Sequence, residues 1–133
     1  MVAFTWFKAA AAAVGAFITW LVGGWDGLVI CLCVFMGLDY LTGVIGGIVH
    51  KNLSSEIGFK GILRKMVVLV ILAVAVLVDS LIDQQILRDL VCYFYIANEG
   101  ISILENAGKI GVPLPDKLMD VLKQLGGGKK DVE

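Results

Sequence analysis

The chain reads as an all-α integral membrane protein. Four transmembrane helices joined as helical hairpins are expected, three being the alternative, followed by a short C-terminal amphipathic helix. Three observations predict this. Hydrophobic residues make up 59% of the 133-residue sequence, where soluble domains carry roughly 45–50%. Four apolar runs each approach the ~20 residues that a helix needs to cross a bilayer. Of the 11 Lys and Arg residues, all but Arg88 fall on one side of the membrane if every run spans.

The first run covers about residues 4–24, with Lys8 snorkelling to the interface. A charged residue ahead of an Ala-rich stretch also fits a signal sequence. No small-x-small cleavage site with a polar mature start follows, so a span is expected. Trp25-Asp26 then leaves only a tight hairpin before the second run, residues 27–49, with Trp20 and Trp25 in an interfacial aromatic belt. Residues 50–65 form a basic loop. Within it Ser54 or Ser55 offers an N-cap, with Glu56 in the first turn, then Lys60, Arg64 and Lys65. This segment should lead into the third run, residues 66–82, as one bent helix. Asp79, Ser80 and Asp83 at its far end read as interface residues. The fourth run is residues 90–108. Pro113 and Pro115 then break the chain, and Leu118, Leu122 and Leu125 repeat at helical spacing. A Gly126-Gly127-Gly128 stop and a charged tail, Lys129 to Glu133, complete the sequence. The chain thus divides into a transmembrane unit, 1–108, and a cytoplasmic segment, 109–133. The excess of Lys and Arg in the central loop and C-terminal segment puts both, and the N-terminus, in the cytoplasm. Losing the first span would move only Lys8.

Enzymatic chemistry has no foothold. Cys31, Cys33 and Cys92 lie inside apolar runs and read as packing residues. One His and no Cys/His cluster leave no metal site. No nucleophile–base constellation, phosphate loop or basic nucleic-acid patch is present, and no cofactor is expected. His50, beside Lys51, reads as an interfacial residue.

The candidate functional residues are the polar groups inside the spans. A carboxylate within a bilayer costs roughly 2.5–3.5 kcal/mol on insertion scales, which makes Asp39 and Glu99 functional candidates. Each lies about 15–16 Å from the same membrane face at 1.5 Å per residue, near the midplane of a core about 30 Å thick. Asp39, Gly43, Gly47 and His50 share one face of the second run, flanked by Tyr40 and Thr42. Gly43-x-x-x-Gly47 is a small-xxx-small pattern for close helix contact. In the fourth run, Asn98, Glu99, Ser102, Glu105 and Asn106 fall within about 120° of arc at 100° per residue, with Tyr95 at the edge. Such a face turns toward a neighbour or a wet cavity. It forms an interhelical hydrogen-bond network, or it meets other subunits and becomes water-lined. Asp39 is expected to bond Glu99 or Asn98, and two adjacent carboxyls at low dielectric are expected to share a proton.

Gly37-Leu38-Asp39-Tyr40-Leu41-Thr42-Gly43, Leu53-Ser54-Ser55-Glu56 and Gly58-Phe59-Lys60-Gly61 resemble blocks of the phage holin family that includes the toxin-secretion holins of clostridia. The resemblance returns at Tyr95-Ile96-Ala97-Asn98-Glu99-Gly100, Ser102-Ile103-Leu104-Glu105-Asn106 and the Pro113–Pro115 segment, in order from about Gly15 to Leu125. It implies a bacterial cytoplasmic membrane protein that accumulates, then assembles into lesions releasing an endolysin or a toxin. The partners so implied are the bilayer, other copies of the chain and the released cargo. The family-like positions are Asp39, Tyr40, Thr42, Gly43, Ser54, Glu56, Lys60, Asn98, Glu99, Glu105 and Asn106. In one departure, the next Met after Met1 is Met36, inside the second run, so a short variant from a second start is not expected.

A self-associating holin is the leading expectation. The alternative is a small proton-coupled exporter using Asp39 and Glu99, although the familiar small multidrug exporters carry their key Glu in the first span. A lysis regulator that forms no pore is the third.

Overall fold

The computed structural model describes residues 1–125; the expected glycine stop and charged tail lie outside the described residues. Five helices follow one another: α1 (Val2–Leu21), α2 (Gly27–Val49), α3 (Ser55–Ile82), α4 (Ile86–Ile110) and α5 (Asp116–Leu125). No strand occurs among the described residues. Three helices, α1, α2 and α3, are long and apolar enough to cross a membrane. α4 is long enough, with 25 residues, but carries Arg88, Asp89, Glu99, Glu105 and Lys109 within it.

α2, α3 and α4 form the bundle. α2 and α4 run parallel over their whole lengths. Asp26 meets Arg88 where they begin, and His50 Nε2 lies 2.9 Å from the Lys109 carbonyl where they end. α3 runs back between these ends and packs on both. The core is small: Val29, Leu32 and Met36 of α2, Leu72 of α3 and Cys92 of α4, with Val22 from the turn before α2. Large apolar side chains such as Val34, Leu41, Val70 and Tyr93 remain exposed around it. That outward surface is what a bilayer would cover. The three cysteines are free thiols within this apolar framework, and Cys92 is fully buried.

The expected hairpin of the first two helices does not form. The turn is as short as predicted, but α1 and α2 share no helix–helix contact, and α1 touches only α3. No residue of α1 is buried. Its Ala-rich middle, Ala9 to Ala13, offers little side chain to bury against a neighbour. The turn itself is fixed elsewhere. Gly23 and Gly24 take φ of 76° and 98°, a region that costs glycine no steric penalty. A Cβ on Gly23 would stand 2.7 Å from Arg88 Nε. Trp25 Nε1 donates to Thr19 Oγ1 at 2.8 Å.

α3 begins at Ser55 and continues unbroken to Ile82, so residues 55–65 of the expected loop are helical. Ser54 holds the N-cap position without a side-chain capping bond, while Glu56 pairs with Lys60 one turn on at 3.2 Å. α4 ends at Gly111 in the left-handed region, a glycine stop before the two prolines. α5 then folds back along α4. A Cβ on Gly108 would meet Leu114, and one on Gly100 would meet Leu122 at 3.2 Å and Phe35 at 3.3 Å. α5 therefore reaches the level of Glu99. Leu118 and Leu125 of its apolar face stay exposed.

Candidate functional site

The three bundle helices bring three charges to one level. Asp39 lies ten residues from the end of α2, Glu99 eleven from the end of α4, and Lys65 ten from the start of the antiparallel α3. Each is thus about 15–17 Å from the same end of the bundle. Lys65 Nζ donates to Asp39 Oδ2 and to Glu99 Oε2, both at 2.7 Å. Their side chains retain only 12–19% exposure.

The two carboxyls meet here as expected, with a third charge beside them that the sequence reading left outside. The positive charge between them is an ammonium from the third helix. Lys65 was read as the last residue of a loop. The helix does start at Ser55, as its N-cap signal indicated, and its seat antiparallel to α2 and α4 carries Lys65 to the level of both acids. Asp39 and Glu99 also lie within hydrogen-bonding reach of each other, whereas Asn98 bonds neither. Asn106 Nδ2 donates to Asp39 Oδ1 at 3.1 Å and to Thr42 Oγ1 at 2.9 Å. The Thr42 hydroxyl in turn donates to the Leu38 carbonyl at 2.9 Å. Every buried polar atom among the described side chains has a partner.

The other expected site residues divide. Ser102 lies beside Asp39 and lines the same cleft. Gly43 faces Asn106, and Gly47 lies against Leu53, where a Cβ would come within 3.0 Å. The small-xxx-small face thus serves contacts within the chain. Tyr40 sets its hydroxyl against Gly58 of α3, 3.2 Å from where a Cβ would stand. Tyr95 packs on the apolar core and stacks edge-on against Phe94, away from the charges. Asn98 and Glu105 are not brought in: neither makes a side-chain hydrogen bond or ion pair among the described residues, and Glu105 is exposed. Ser54 and Lys60 line the cleft, whereas Glu56 does not.

A second polar cluster, at the opposite end, escaped the sequence reading. Arg88 is 2% exposed. Its guanidinium donates to the Val22 carbonyl at 2.8 Å, the Gly24 carbonyl at 3.0 Å, and both Asp26 carboxylate oxygens at 2.7 and 3.0 Å. Arg88 beside Asp26 holds the Asp26 carboxyl down at about 2, chiefly by hydrogen bonding. Asp79, expected at the interface, is instead 3% exposed. It accepts from Leu87 N at 3.1 Å and Arg88 N at 2.8 Å, capping α4 from α3. The available signal was Arg88 itself, a single cation amid Asp79, Asp83 and Asp89 at that end.

Comparison with known proteins fits this architecture. A profile of the bacteriophage holin family matches residues 16–127. A 14.9 kDa protein of Clostridium perfringens encoded in the nagH 3′ region is 53% identical over 117 residues, covering 86% of this chain and 89% of its own. A probable holin of Bacillus phage phi105 is 40% identical over 86 residues, 64% of each chain. A Listeria monocytogenes protein, Lmo0128, is 38% identical over 109 residues, 81% of this chain and 78% of its own. No solved structure matches. With the family profile spanning most of the sequence, from α1 through α5, the chain belongs to the bacteriophage holin family.

Proposed function

We propose that the protein is a holin of the bacterial cytoplasmic membrane that self-associates into lesions and lets an endolysin, or a toxin, pass. It acts without catalysis. In this reading α4 is the fourth span, lying beside α2 from Asp26–Arg88 to His50–Lys109. Both termini and the α2–α3 turn then face the cytoplasm, where the Lys and Arg residues concentrate.

The observation that carries the reading is the divided polar face of α4. Glu99 and Asn106 are satisfied inside the protomer by Lys65, Asp39 and Thr42. Asn98 and Glu105, on the flank of that face, have no side-chain partner among the described residues. Polar groups of this kind on the outer face of a membrane helix find partners on another copy or in water. α1 adds an apolar helix with no buried residue for contact with lipid or a neighbouring protomer. Exporter chemistry would need Asp39 and Glu99 free to exchange protons with a substrate, and Lys65 engages both.

Inducible expression with and without a cytosolic endolysin tests the reading. A holin gives an abrupt, timed collapse of membrane potential, and lysis only when the enzyme is present. Growth with intact potential at high membrane density, with or without the enzyme, would refute it.

A further inference from the structure

We propose that the cleft between the inner halves of α2 and α3 binds the phosphate of an anionic phospholipid of the cytoplasmic leaflet. The inference rests on the orientation given above, but not on pore formation.

The cleft has a volume of about 710 Å³. Lys60, Arg64, Lys65 and Lys109 line it, against two acids, Asp39 and Glu99. Both acids already engage Lys65 Nζ at 2.7 Å, and Lys60 pairs with Glu56. Arg64 and Lys109 are left over: among the described residues neither side chain makes an ion pair. The cleft therefore carries surplus positive charge, with a guanidinium suited to two-point contact with phosphate oxygens.

Depth and wall chemistry decide which phosphate. Arg64 stands two residues ahead of Met66, where the long apolar stretch of α3 begins. From Met66 to Ile82 that stretch rises about 25 Å, close to the hydrocarbon thickness. On this measure the Asp39–Lys65–Glu99 layer lies at the inner edge of the hydrocarbon rather than at the midplane expected from the apolar runs, and Arg64, one residue further out, falls at the level of the lipid phosphates. Val44, Leu53, Ile57 and Val68 share the lining. A cleft that is cationic at the phosphate level and apolar beside it suits an amphiphile with an acyl chain better than a free ion. Surface attraction alone would make all basic residues equivalent; a cleft makes Arg64 and Lys109 special.

The test uses the full chain in intact phosphatidylcholine bilayers, carrying either spin-labelled phosphatidylglycerol or spin-labelled phosphatidylcholine at the same low mole fraction. Electron paramagnetic resonance reads the motionally restricted fraction. Phosphatidylglycerol should be selected over phosphatidylcholine. Arg64→Gln and Lys109→Gln should each lower that selectivity about fivefold, as expected for one cation at a membrane surface. Lys8→Gln, on α1 outside the cleft, should leave it unchanged, as should added millimolar inorganic phosphate. Equal association of the two lipids overturns the proposal. So does an effect of Lys8→Gln equal to that of Arg64→Gln, or displacement of the labelled lipid by inorganic phosphate, which would make the ligand a free anion. Dye retention by the same vesicles reports separately on pore formation.

Discussion

Lys65 Nζ lies 2.7 Å from Glu99 Oε2, joining two residues 34 apart in sequence at the one level where Asp39 also arrives. The consequence is a three-helix clamp. α2, α3 and α4 each contribute one charge, and neither acid is left facing the other alone. Asn106 ties the clamp to Thr42 of α2, so the polar layer holds the parallel α2–α4 pair as well as the antiparallel α3. Removing one partner of a buried ion pair costs more than replacing the whole group, because the survivor stays buried without compensation.

Lys65→Met should therefore destabilise the bundle by about 3 kcal/mol, the lower end of the range for broken buried pairs, since these side chains keep some solvent contact. Combining it with Asp39→Asn and Glu99→Gln should recover most of the loss. Reversible unfolding in mixed detergent micelles measures both. Equal midpoints for wild type and Lys65→Met would show that the layer contributes no stability.

The Arg88–Asp26 clamp predicts a pH dependence of its own. The Asp26 carboxyl sits at about 2 in the folded chain, below its ordinary 3.8, because Arg88 bonds its ionised form. A depressed carboxyl contributes stability that is fully present above the unfolded value and is lost as protons bind. That contribution should therefore fade between about pH 4 and pH 2. Half of the Asp26 side chain is exposed, so the size is that of a solvent-screened pair. Asp26→Asn keeps an N-cap oxygen for Val29 N but removes the charge. The difference between wild type and Asp26→Asn in thermal midpoint should shrink over that window. A difference that is constant from pH 5 to pH 2 would detach the clamp from Asp26 ionisation.

Helix positions and the polar faces were legible because both follow from periodicity. Asp39 and Glu99 were placed at a common depth by counting residues alone. Lys65 was misread because a basic residue at the edge of an apolar run looks like a loop boundary. The helical start near Ser55 was legible, but not the packing of α3 against α2 and α4 that sets Lys65 on the same level. Asp79 and Arg88 were equally hidden, since their burial depends on where α3 ends and α4 begins. The Gly23-Gly24 turn could be located in sequence but not its direction, which positive φ at both glycines and the Arg88 contacts set. The fold-back of α5 on Gly100 left no periodic trace at all. A glycine in a spanning helix signals close approach without naming what approaches.

Gly100 supplies a test of that fold-back. It is buried, and Leu122 occupies the space over it. Gly100→Val would force overpacking, typically about 1–3 kcal/mol. The cheapest relief is displacement of α5, because Phe35 on the other side belongs to α2 of the bundle. Amide hydrogen exchange should rise across 116–125 while α2 and the first half of α4 keep their protection. Uniform loss of protection through α2 would mean that Gly100 supports the bundle rather than the seat of α5.

Asn98 and Glu105 test the association surface. They sit seven residues apart on α4, on the flank turned away from the Lys65 clamp and without side-chain partners among the described residues. If they bond between protomers, Asn98→Leu with Glu105→Leu should weaken association and leave the protomer intact. An interhelical hydrogen bond in a bilayer contributes about 0.6 kcal/mol on average and up to about 1.7. Two such positions therefore predict a five- to tenfold rise in the dissociation constant, roughly 1–1.4 kcal/mol. Energy transfer between labelled copies at fixed surface density measures it, and lysis onset in cells should be delayed in step. Detergent unfolding serves as the control, because neither side chain makes a hydrogen bond or ion pair within the protomer among the described residues. Unchanged transfer alongside unchanged unfolding would move the interface off this flank of α4 to the exposed apolar surface of α1 or of the bundle.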